Sequence, residues 1–110
     1  MGRSAPASVS PLNLRLHSQA EAEVAEAAAH YEAISPVLRD GLEAELTRAL
    51  RLLAEFPLIG APLSSGRGLR RLVVDRFPYT LIYHTDGADL IVLAVAHQSR
   101  RPGYWRARAT

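Results

Sequence analysis

The apolar residues of this chain change their spacing sharply partway along. From Ala20 to Phe56 they recur every three or four positions, whereas beyond Gly68 they alternate or run together. Side chains return to one face about every 3.6 residues in a helix and about every 2 in a strand. A chain with this switch follows a helical region with strands and buries each against the other, which is an α+β domain.

The elements follow from the local chemistry. Pro11 to His17 alternates Leu12, Leu14 and Leu16 with Asn13, Arg15 and His17, the pattern of a half-buried strand. Ser18 stands three residues before Glu21, a capping-box spacing, so the first helix is expected to start there. Its apolar stripe is Ala20, Val24, Ala27, Tyr31 and Ile34, with Glu21, Glu23, Glu26 and Glu32 largely off it. Ser35-Pro36 ends that helix and caps the next, because proline disfavours helical backbone in the residue before it and fits the first helical position itself. The second helix carries Leu38, Leu42, Leu46, Ala49, Leu53 and Phe56 on one face, with Glu45–Arg48 and Arg51–Glu55 spaced as solvent-side ion pairs. Pro57 to Gly68 is rich in Pro, Gly and Ser and is expected to be a mobile loop. Leu69–Arg76 and Tyr79–Thr85 then read as strands, Asp86-Gly87 as a hairpin turn, and Asp89–His97 as a central strand covered on both faces. The order is β-α-α-β-β-β, a strand and helical hairpin packed on a mostly antiparallel sheet.

At 110 residues there is room for one domain, expected over 11–110 after a flexible lead-in at 1–10. No apolar run reaches the roughly 20 residues of a membrane span or resembles a secretory signal, so a cytoplasmic protein is expected. The chain has no cysteine, which excludes disulfides and thiolate chemistry. His17, His30, His84 and His97 show no metal-ligand spacing, and no metal or cofactor is expected. Gly66-Arg67-Gly68 lacks the strand and helix that a phosphate-binding loop needs, and no nucleophile elbow is present.

The net charge of +2 conceals a division along the chain. Gln19–Glu55 holds eight acids and three Arg, a net of −5, whereas Phe56 to the end holds eight Arg and three acids, a net of +5. All 13 basic residues are Arg, whose planar fork suits carboxylates and phosphates alike. Acidic protein or nucleic acid is the expected partner class.

The C-terminal half also carries an ordered series of landmarks. They are Leu69-Arg70-Arg71, Phe77-Pro78-Tyr79, Ile82-Tyr83, and Leu93-Ala94-Val95-Ala96-His97 followed by Arg101-Pro102 and Tyr104-Trp105. Downstream of an acidic helical hairpin, this series resembles the RelE/ParE superfamily of bacterial toxins over nearly everything from Leu12 to Arg108. The resemblance implies a type II toxin–antitoxin system, in which an antitoxin with an extended, partly acidic segment wraps the toxin in a hetero-oligomer. Arg70, Arg71, Arg76, Arg100, Arg101, Arg106 and Arg108, with Trp105, are then the candidate residues for binding target or antitoxin. The plainer reading of any one of these arginines is a solvated surface charge.

Two targets are open within the superfamily. The RelE-like branch cuts messenger RNA on the ribosome, and here the resemblance implies Tyr104, His97 and Arg71 as its catalytic candidates. Against it, Val73, Thr80 and Gln98 stand where that branch has a lysine and two arginines. His97 reads first as a strand-end cap bonded to a backbone carbonyl and second as an acid or base, and Tyr104-Trp105 reads first as a C-terminal anchor and second as a stacking pair. The ParE-like branch poisons DNA gyrase without hydrolysing it and needs only a binding surface, so the non-enzymatic reading is favoured over the nuclease.

Overall fold

The computed structural model describes residues 13–64 and 67–109, so the expected lead-in at 1–10 and the first two residues of the expected first strand lie outside the described residues. The elements are β1 Asn13–Leu16, α1 Ser18–Ile34, α2 Pro36–Glu55, β2 Ala61–Pro62, β3 Arg70–Val73, β4 Tyr79–Asp86 and β5 Asp89–His97, followed by a 3-10 turn at Arg106–Ala109. The strands form one sheet in the order β1-β5-β4-β3-β2, parallel between β1 and β5 and antiparallel elsewhere. This is the α+β order expected, with β5 at the limits read from the sequence and one added strand, β2, inside the presumed loop.

The helix junctions show how the sequence dictates the hairpin. The extended Ser35 donates its N–H to the Tyr31 carbonyl and accepts from the Val37 N–H at 3.1 Å, so it closes α1 and opens α2 at once. At the start of α1 the expected capping box does not form. His17 is the cap, its Nδ1 accepting from the Gln19 N–H at 3.0 Å. An imidazole nitrogen can do what the Ser18 hydroxyl was expected to do.

The helices cover one face of the sheet. Leu42, Leu46 and Leu53 of α2 and Ala20 and Ala27 of α1 pack with Leu81, Tyr83, Leu90, Val92 and Val95 in the main core. The opposite face carries a smaller cluster of Leu69, Ile82, Leu93, Ala94 and Trp105. Thus β5 is covered on both faces, by helices on one and by the C-terminal segment on the other. The ends of both apolar stripes fall outside the core, however. Ile34 is 60% exposed, Leu38 38% and Phe56 53%; the first two flank the helix junction and the third caps the end of α2.

The loop after α2 is held rather than loose. The buried Tyr83 hydroxyl accepts from the Gly60 N–H at 2.9 Å, and Arg70 donates to the carbonyls of Leu58 and Gly60 at 3.2 and 2.7 Å. Gly60 is required by this close approach, since a Cβ there would lie 2.6 Å from the Arg71 carbonyl oxygen and 2.7 Å from the Tyr83 hydroxyl.

Candidate binding surface

The register of β4 and β5 slips between Ile82 and Tyr83, whose partners are Ala94 and Val92, so Leu93 is the extra residue of a bulge. The bulge turns Leu93 and Ala94 to the same side, where both join the Trp105 cluster. It also lies just beyond the end of β1, whose last paired residue, Leu16, is opposite Val92. Beyond that point no strand among the described residues lies beside the outer edge of β5, and buried backbone groups there need other partners.

Side chains supply them. The Val95 N–H donates to Glu23 Oε1 at 2.9 Å, and the Leu93 carbonyl accepts from Arg108 Nη1 at 3.0 Å. The same Arg108 forms a two-pronged pair with Glu23, Nη1 to Oε1 and Nη2 to Oε2, both at 3.0 Å. The Tyr104 hydroxyl completes the cluster, donating to Glu23 Oε2 at 2.6 Å. Glu23 is 8% exposed and belongs to the inward face of α1. Burial alone pushes its carboxyl up, but the hydrogen bonds from Arg108, Tyr104 and Val95, with the Arg108 charge, outweigh that and hold it below the ordinary carboxylate value. Tyr104 is pushed up to about 12, by burial first and then by its hydrogen bond to Glu23 and that group's charge, against the opposing pull of Arg100 and Arg108.

The residues from Arg100 to Ala109 thus form an arm folded back over the end of β5. Trp105 is buried in the open-face cluster, in the anchoring role read first from the sequence. The Tyr104 ring is flanked by two guanidinium groups, with Arg100 Cζ 3.9 Å and Arg108 Cζ 5.1 Å from its centroid. Arg106 lies 6.0 Å from the Trp105 centroid and packs beneath Gly103, where φ is +82° and a Cβ would meet its guanidinium at 3.0 Å.

The candidate arginines therefore divide by what they already hold. Arg108 faces inward, its side chain 11% exposed, and Arg70 is spent on the Leu58–Gly60 loop. Arg76 is exposed at the β3–β4 turn with φ +70°, 3.5 Å from the buried Glu45 and 6.0 Å from the Phe77 centroid. Arg71, Arg100, Arg101 and Arg106 are exposed, and among the described residues neither Arg71 nor Arg101 has a side-chain partner.

The three catalytic candidates are not brought together. His97 stacks edge-on against Tyr79 at 5.1 Å on the helix side of the sheet, in an open cleft of about 330 Å³ shared with Glu26, His30 and Arg100. Arg71, paired with Ile82 in register and alternating with the core residue Leu72, faces the other side. The Tyr104 hydroxyl is committed to Glu23. His97 does cap the strand end, but its Nδ1 accepts from the Ser99 N–H at 3.0 Å and meets the Ser99 hydroxyl at 2.8 Å, in place of the expected bond to a carbonyl.

Two acids were misplaced by the stripe argument. Glu23 follows Ala20 by three residues and precedes Ala27 by four, and Glu45 stands in the same relation to Leu42 and Ala49, so both face inward. Glu45 does pair with Arg48 at 2.9 Å, but from a buried position, and no ion pair joins Arg51 to Glu55 among the described residues. The i, i+3, i+7 spacing was the available signal.

Residues 14–102 match a family model described as the ParE toxin of the type II toxin–antitoxin system parDE. Among solved structures the chain is similar to one from a chromosomal ParDE toxin–antitoxin system of P. aeruginosa, with a TM-score of 0.68 at 20% identity, covering 78% of this chain and 95% of that one. A search of the curated proteins finds no match.

Proposed function

The chain belongs to the ParE toxin family of type II toxin–antitoxin systems, and from that premise we propose that it arrests growth by binding DNA gyrase without hydrolysing a substrate. The observation that carries this reading is the fate of Tyr104. A tyrosine serving as acid or base must reach the reacting oxygen and exchange its proton near neutral pH. Here the proton is directed into a buried carboxylate, the ring is enclosed by two guanidiniums, and the pKa stands at about 12. A binding toxin has no use for that proton and loses nothing by it.

The working surface in this reading is the outward side of the arm, Arg100, Arg101 and Arg106, together with Arg71 on the open face of the sheet. These groups present planar guanidinium forks to carboxylate or phosphate. Arg76, beside Phe77 at the far turn, belongs to the surface that a cognate antitoxin covers. An acidic antitoxin segment that orders on binding would be drawn to such a rim. Among the described residues no helix is long and apolar enough to cross a membrane, and the setting proposed for this activity is the cytoplasm.

Inducible expression in a bacterial host without antitoxin tests the proposal. Pulse labelling is expected to show DNA synthesis falling before protein synthesis, with purified toxin inhibiting gyrase supercoiling. Protein synthesis falling first, with cleavage of messages in translated frames, would overturn it in favour of the nuclease. Arg71→Ala combined with Arg101→Ala should relieve the arrest while leaving a cooperative melt; an unaltered arrest would remove both from the surface.

A further inference from the structure

Part of the arm's backbone is bonded within the arm. Among the described residues, Tyr104 N–H donates to Arg101, Arg106 N–H to Gly103 and Arg108 N–H to Trp105. Side chains tie the arm to the rest of the fold. Three do this: Trp105 through packing, and Tyr104 and Arg108 through polar bonds to one carboxylate, with Arg108 also donating to the Leu93 carbonyl. That carboxylate belongs to α1, 81 and 85 residues away in sequence, and its remaining bond ties it to the β5 backbone at Val95.

We propose that Glu23 is the positioning residue of the C-terminal arm, fixing the outward arginines on either side of Tyr104 in one geometry against the sheet. With the carboxylate gone, the Arg108 guanidinium would be left buried without its counter-charge and the Tyr104 hydroxyl without its acceptor, and the state that relieves both is an arm lifted into water. Arg100 loses its stacking surface at the same time, because the ring it lies on is the one Glu23 holds by its hydroxyl. The consequence for binding rests on the reading that the arm's arginines engage the target.

The protein carries its own reporters. Trp105 is the one tryptophan of the chain, so its emission reads the arm alone. Arg100 and Arg106 are tryptic sites on either side of it, and cleavage of a locally opened segment follows the population of the open form. In Glu23→Gln, which keeps the side-chain volume, Trp105 emission should shift to the red and cleavage after Arg100 and Arg106 should rise by about tenfold or more, while the remainder still melts cooperatively. Arg108→Gln removes the same tie from the arm itself and should reproduce both changes should Glu23→Gln fail to fold. Arg108→Lys, which keeps the charge but not the fork, should fall between wild type and Arg108→Gln.

Unchanged Trp105 emission and unchanged cleavage in the folded variants would overturn the positioning role. Growth arrest is the separate readout. A released arm with weakened arrest, at equal levels of folded toxin, is the expected result; a released arm with full arrest would leave Glu23 as the positioning residue and overturn the assignment of the arm as the target surface.

Discussion

Each helix buries one carboxylate against the sheet, and the two are used differently. Glu23 on α1 meets partners that are buried with it: an Arg108 side chain 11% exposed, the Tyr104 hydroxyl and the Val95 N–H. Glu45 on α2 is as deeply placed, its side chain 4% exposed, but its partners Arg48 and Arg76 are 67% and 70% exposed. In the first site both members of the ion pair have left water, so each depends on the other. In the second only the acid has, and water screens the cations. Equal burial of two acids therefore does not mean equal consequence; the burial of the partner decides.

The largest expected effect follows from that difference. Glu23→Ala strands a buried guanidinium and should cost about 3–5 kcal/mol, whereas Glu45→Ala strands nothing buried and should cost about 1 kcal/mol, mostly lost packing and screened pairing. Denaturant unfolding of the two variants under one condition makes the comparison. Equal losses would show that partner exposure is not the deciding quantity.

Acid should weaken the Glu23 site. The Glu23 carboxyl is held below its ordinary value, so its stabilising contribution is complete above the unfolded-state value and is lost as pH falls through the lower folded-state value. The stability difference between wild type and Glu23→Gln should accordingly be constant at neutral pH and shrink only below the usual carboxylate range, with the Trp105 red shift of wild type following the same curve. A difference that began to shrink near neutrality would mean that Glu23 is not ionised and paired as the geometry requires.

Much of this was legible in the sequence because it is local. The period change fixed the order of helices and strands, Ser35-Pro36 placed the hairpin, and Asp86-Gly87 with the apolar run after it delimited β5 to the residue. The anchor at Tyr104-Trp105 was also readable, since amphipathic aromatics at the end of a small domain often complete its core. What was missed is non-local and polar. A stripe built from apolar residues passes over a glutamate that shares its face, and nothing near Glu23 in sequence announces that its partners lie at Val95, Tyr104 and Arg108. The bulge at Leu93 was equally hidden, because an apolar run with no alternation gives no register to slip. Charge alone could not sort the candidate arginines for the same reason: Arg70 and Arg108 bond to backbone carbonyls and a carboxylate that only the folded chain brings near.

Tyr104→Phe probes a single bond in the closed site. It deletes the 2.6 Å hydrogen bond to Glu23 but leaves the ring between Arg100 and Arg108, and a hydrogen bond to a charged group contributes about 1.5–3 kcal/mol. Because Arg108 and the Val95 N–H still satisfy the carboxylate, the lower end of that range is expected. Growth arrest should persist in this variant, since the hydroxyl has no chemical task. Loss of arrest with the arm still protected from trypsin would return the hydroxyl to the reaction and with it the nuclease.

The smallest effect belongs to the open site. Arg76→Ala removes an exposed cation whose nitrogen stands 3.5 Å from Glu45, at the limit of an ion pair, and exposed pairs contribute roughly 0–1 kcal/mol. Arg76 also holds a left-handed φ of +70°, a conformation that costs a non-glycine residue about 1 kcal/mol in its own right. Arg76→Gly relieves that strain while losing the same cation, so it should be at least as stable as Arg76→Ala, and the gap between the two measures the backbone contribution separately from the charge. If instead Arg76→Ala approached the loss seen for Glu23→Ala, the turn would be anchored through Glu45 as firmly as the arm is through Glu23, and the distinction between the two carboxylates would fail where it was expected to be widest.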